Sequence, residues 1–192
     1  DANTLDKVGE YSVPQLLYGA GGIAYHDGKF LVVGGLPATG HAANYVHEYS
    51  ATFDYLGSHS LPTGYTDRGI QTAEFAHGSW WFGTYQTLNG NNSTRQLFRF
   101  DEALSTFSKG SFDASLGIEA LPDGNFLVGK NRTVNNKYVG RVELAALNSS
   151  GSLSIIPIPV PEPHAAILAG SAAVICLRAR QQSRLRRVLC RR

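Results

Sequence analysis

The stretch Gly69-Ile70-Gln71-Thr72-Ala73-Glu74-Phe75-Ala76-His77-Gly78-Ser79-Trp80-Trp81-Phe82-Gly83 decides the architecture of this chain. A short run leads to His-Gly, and an aromatic run follows at once. Two-residue turns between strands need positive φ, which His-Gly and Asp-Gly supply, so the stretch predicts a tight β-hairpin. The same phrase occurs twice more. Gly22-Ile23 and Gly117-Ile118 repeat its opening, at steps of 47 and 48 residues. His26-Asp27-Gly28 and Pro122-Asp123-Gly124 repeat its turn, and Phe30-Leu31-Val32-Val33 and Phe126-Leu127-Val128 repeat the strand after it.

Outward from each hairpin, a polar loop leads to a third alternating segment. These are Tyr45-Val46-His47-Glu48-Tyr49, Gln96-Leu97-Phe98-Arg99-Phe100 and Gly140-Arg141-Val142-Glu143-Leu144. A weaker fourth strand closes each unit. Residues 4–14 match residues 52–62 at an offset of 48, sharing Thr, Asp, Gly, Ser and Pro in register. The chain is therefore expected to open on the last strand of a unit, an orphan whose first three strands lie upstream. Opening at Asp1 with no methionine fits the same expectation, that these residues continue a longer chain.

Each unit reads as a four-stranded antiparallel meander with alternating faces that neighbouring sheets must cover. Four short strands at a period of 40–50 residues resemble the blades of a β-propeller, over about residues 4–158. The double glycine and spaced aromatics of kelch repeats are missing. The Gly-Ile…Pro-Asp-Gly phrasing is more similar to lactonase-like and NHL-type propellers. The fold class expected is all-β, with about three blades and one orphan strand forming part of a larger ring.

Composition separates the body from the tail. Residues 1–160 hold 10 Lys+Arg against 14 Asp+Glu, whereas residues 161–192 hold 7 Arg against 1 Glu. A mildly acidic body argues against nucleic-acid binding, which needs a basic face. Both cysteines, Cys176 and Cys190, fall in the tail, so the body has no disulfide framework and no cysteine nucleophile.

The tail has three parts. Residues 159–164 form a proline-rich linker, held extended because proline locks φ and cannot sit inside a helix. Residues 165–177 carry no charge and are expected to form a membrane-inserted helix. At ~1.5 Å per residue it spans only ~20 Å of a ~30 Å hydrocarbon core. The arginines of residues 178–192 extend it by snorkelling and keep that end cytoplasmic. Pro161-Glu162-Pro163, the apolar stretch and the cationic stop opened by Arg178 and Arg180 resemble the PEP-CTERM sorting signal of Gram-negative bacteria. The resemblance implies export, temporary anchoring in the inner membrane and processing by an exosortase near the motif. It also implies association with exopolysaccharide or biofilm at the cell surface.

Chemistry in the body is sparse. His77 occupies the turn position of Asp27 and Asp123, Trp80 and Trp81 occupy core strand positions, and no histidine spacing suits zinc. No nucleophile elbow or triad can be assembled from sequence, and no metal or cofactor is expected. The candidate ligand-binding residues are Asp67, Arg68 and Glu119, beside the first strands that line a propeller's channel. Gluconolactonase-like propellers hold a divalent metal with carboxylates near there, but their glutamate precedes the glycine, whereas Glu119 follows Gly117-Ile118. The expected function is an exported binding or scaffold module, with an exosortase, the membrane and polysaccharide as partners. The alternative is a secreted lactonase-like hydrolase or glycan-active enzyme with its site in the channel.

Overall fold

The computed structural model describes residues 4, 7, 9–35, 43–64, 66, 68–85, 87–89 and 92–157. Chain contacts divide the protein into Asp1–Ile156 and Pro157–Arg192, and every strand among the described residues lies in the first unit. Among the described residues there is no helix, and none therefore long and apolar enough to cross a membrane. The sorting motif Pro161-Glu162-Pro163, the helix expected over 165–177, and Arg178 and Arg180 lie outside the described residues.

The body is all-β. The first sheet is the meander β1 (Ala20–His26), β2 (Lys29–Gly34), β3 (Asn44–Ser50) and β4 (Tyr55–Leu61). The second runs β5 (Ile70–Ala76), β6 (Ser79–Thr84), β9 (Leu97–Asp101) and β10 (Phe107–Gly110). A small hairpin, β7 (Thr87–Asn89) with β8 (Asn92–Thr94), interrupts it. The third is β11 (Ile118–Ala120), β12 (Phe126–Val134), β13 (Lys137–Leu147) and β14 (Leu153–Ile155). All pairings are antiparallel, and among the described residues the first and last strands are the edges of each four-stranded sheet.

Turn chemistry explains the meander. Asp27 and His77 take φ of 46° and 53°, each followed by a glycine of positive φ, the two-residue turn that matches strand twist. The third hairpin differs: the Leu121 carbonyl accepts from Gly124 N–H at 3.0 Å, closing a longer loop around Pro122 and Asp123. A second recurrence joins the third and fourth strands. The side chains of Ser50, Asp101 and Asn148 accept from the N–H groups of Asp54, Ser105 and Ser152 at 3.0, 2.7 and 3.0 Å. Each loop turns on one left-handed residue, Phe53, Leu104 or Gly151.

The middle sheet is buried on both faces because successive strand residues point opposite ways. Trp80 joins Leu31, Val33, Val46 and Phe82 against the first sheet, and Trp81 joins Phe126, Val128 and Ala145 against the third. All six residues of β6 are buried. Neighbouring sheets approach most closely at their first strands, β1 against β5 and β5 against β11. The outer face of the third sheet has no such cover, with Leu127 and Val142 exposed. That of the first is partly covered: Ile23, Tyr25 and Tyr45 are exposed, but Val32 and Tyr49 on the same face are buried, and Tyr49 donates its hydroxyl to Gln15 of the opening segment at 2.6 Å.

Two expectations need correction. The opening segment is not a strand in its described residues 9–13, because no strand among the described residues lies alongside to complete a ladder. Tyr11 instead stacks on Phe53 at 4.7 Å. The repeat is also phased differently in the first unit. Gly69 and Gly117 correspond to Gly19, not Gly22, since their carbonyls accept from Tyr85, Gly129 and Gly35 in the same way. A β-bulge follows in β1 and in β5, with Gly21 and Gln71 the extra residues.

Candidate functional site

One end of the middle sheet gathers groups that its neighbours lack. Gly69, at φ 72°, turns the chain into β5, and its carbonyl accepts from Tyr85 N–H at 3.2 Å just past β6. That bond sets Arg68 beside Tyr85. The matching positions are Tyr18 and Gly35 in the first unit and Leu116 and Gly129 in the third. Nothing in the fold demands an arginine and a tyrosine here.

The Arg68 guanidinium carbon lies 5.1 Å from the centre of the Tyr85 ring, and that of Arg95 lies 5.3 Å from the same centre. Such contacts draw a cation to the negative face of a ring. Arg95, which precedes β9, is anchored: its Nη1 donates to Asp113 Oδ2 at 2.5 Å and reaches Asn131 Oδ1 at 3.4 Å. Asp113 is itself oriented by the backbone and hydroxyl of Ser115. Arg68 is exposed and makes no ion pair among the described residues, while its carbonyl accepts from the Gln71 side chain.

The loop that delivers Arg68 is tied down from below. Buried Asn44 donates through Nδ2 to Thr63 Oγ1 at 2.5 Å and to Thr66 Oγ1 at 3.1 Å. On the third sheet, Lys130 lies over Phe112 at 4.6 Å and pairs with Glu143 at 2.9 Å, which also holds Arg141 at 2.6 Å.

A second feature lies where β5 meets β11. Glu74 is half-buried, and its carboxylate accepts from its neighbour Phe75 N–H at 3.0 Å and from Ala120 N–H. Burial pushes its pKa up, and the charge of Glu119 pushes it further, outweighing the two hydrogen bonds that favour the ionised form.

Of the three residues expected to share a site, Asp67 lies outside the described residues. Arg68 and Glu119 are not brought together: Arg68 faces Tyr85 at the start of β5, whereas Glu119 acts on Glu74 farther along that strand. Tyr85, Arg95 and Glu74 are the additions. The signal for Tyr85 was its replacement of a glycine, visible only once the bulge had been placed. Among the described residues no group of three or more His, Cys, Asp or Glu is placed to hold a metal. Comparison with models of known families and with curated proteins finds no match to this chain.

Proposed function

We propose that the protein is an exported cell-surface or matrix-associated binding module, built from β-propeller blades and addressed by its C-terminal PEP-CTERM-like signal. The observation that carries the body of this reading is the convergence of β1, β5 and β11, the first strands of three like meanders, around one middle sheet. A propeller places its first strands at the channel in that order. The open outer face of the third sheet suits a further blade beside it, since monomers avoid leaving such faces open. The address rests on the order Pro161-Glu162-Pro163, uncharged 165–177, then arginines. An exosortase-type membrane protease reads it, and the apolar stretch holds the intermediate in the inner membrane.

Mass spectrometry of the mature protein from the host's cell surface is expected to find a C-terminus near Pro161. Chains still ending at Arg192 overturn processing and leave a single-pass anchor. One observation favours a secreted propeller hydrolase instead: the Glu74–Glu119 pair on adjacent first strands, with Glu74 inclined to keep a proton. An acid catalyst has that character. It needs further converging groups, and the binding reading takes precedence because the described residues of this pair supply only two carboxylates.

A further inference from the structure

We infer that Arg68, Tyr85 and Arg95 form a receptor for a carboxylate group, the feature by which the module grips an acidic sugar. Three observations lead there. Two guanidiniums are gathered at the same ring, at 5.1 and 5.3 Å from its centre. Only one of them has an acid of its own: Asp113 serves Arg95, and Arg68 keeps its exposed donors without an ion-pair partner among the described residues. The arrangement is also an addition to the repeat, because the other two units place Tyr18 with Gly35 and Leu116 with Gly129 at these positions.

Chemistry then selects the ligand. A guanidinium is a planar fork of donors that matches a carboxylate through two parallel hydrogen bonds. Contact with Tyr85 restrains the Arg68 guanidinium, and Asp113 with Asn131 anchors that of Arg95 through Nη1. Holding the donors in advance lowers the ordering cost of binding. Asp113 keeps the local charge small, so the cluster favours one carboxylate at a time over a dense polyanion. The ring and the aliphatic stems of the arginines offer the body of a sugar an apolar ledge.

This inference deepens the binding-module reading and rests on it for the body alone, so its test is separate from the fate of the tail. The full chain is titrated with galacturonate, trigalacturonate and neutral galactose, with binding followed by calorimetry and by Tyr85 ring resonances. Galacturonate is expected to bind saturably, and galactose not to bind. Arg68→Gln and Tyr85→Gly are each expected to weaken galacturonate at least about tenfold, with Arg68→Lys falling between. Tyr85→Gly introduces the residue the sister sheets carry, and unchanged unfolding midpoints show that either variant is intact. Trigalacturonate binding tighter than the monomer assigns the carboxylate to a polysaccharide chain, and equal binding assigns it to a single sugar acid; both support the receptor. No saturable binding of either acid, or equal binding by wild type and Arg68→Gln, overturns it. An intact Arg192 alongside good galacturonate binding removes the address and leaves the receptor standing.

Discussion

Glu74 joins two sheets through one carboxylate, taking N–H bonds from Phe75 on its own strand and Ala120 on the next sheet. Burial first, and then the charge of Glu119, raise its pKa above the ordinary 4.5. The folded chain therefore holds this proton more tightly than the unfolded chain. By linkage, the site is most favourable to folding below pH 4.5, and that advantage is lost as pH rises through the folded pKa. Glu74→Gln keeps an acceptor for the N–H groups and removes the charge. Its urea midpoint is expected to exceed that of wild type at pH 7, with the gap closing by pH 4. A variant less stable than wild type at pH 7 would show that the hydrogen bonds to the ionised group dominate. None of this was legible in the sequence. A lone glutamate in an alternating strand looks solvent-facing, and its partner belongs to another repeat. Arg68 was legible as a polar residue beside a first strand, but its ring and its companion Arg95 come from positions that only the folded meander unites.

At the scale of strands, Gly22 sets how closely β1 can lie against β5. A Cβ added there falls 2.8 Å from Ala73 N and 2.9 Å from the Thr72 backbone, and backbone atoms cannot swing aside as a side chain can. Gly22→Ala is thus expected to cost ~1–3 kcal/mol in urea unfolding, by overpacking a tight contact. Gly57→Ala is the control, because an added Cβ meets nothing within 4 Å there. Equal effects at the two positions would show that strand approach carries no cost at Gly22, since the entropy change of Gly→Ala on its own is stabilising. The strand order was read correctly from hairpin chemistry, since Asp27-Gly28 and His77-Gly78 act locally. The phase of the first unit was not. Gly19 fills the place of Gly69 and Gly117, and Gly22-Ile23 comes three residues later, so the Gly-Ile phrase that marks the start of β5 and β11 falls inside β1. Likewise, the match of residues 4–14 to residues 52–62 carries strand-like residues but cannot supply the neighbour a strand requires.

Across the whole body, adjacent tryptophans divide the labour of holding three sheets together. Trp80 packs toward the first sheet with Phe75, and Trp81 packs toward the third, its ring 5.5 Å from that of Phe126. Stacked repeats of this kind draw stability from each unit and from the interfaces between neighbours. Loss of either indole is expected to cost ~3–5 kcal/mol, and the site of the damage should differ. In Trp81→Ala, hydrogen exchange is expected to quicken first in β12 and β13, while β2 and β3 stay protected. In Trp80→Ala the order reverses. The Arg99 guanidinium lies 5.2 Å from the Trp81 ring and reaches the Gly151 carbonyl at 3.4 Å, so Trp81→Ala also loosens the loop before β14. Uniform acceleration of all three sheets in both variants would mean that the body unfolds as one cooperative block. The receptor would then share the stability of the whole. If the sheets separate, galacturonate should protect the end of β6 and the start of β9 in Trp80→Ala more than in Trp81→Ala, because Asp113 and Asn131 hold Arg95 from the side that Trp81 secures.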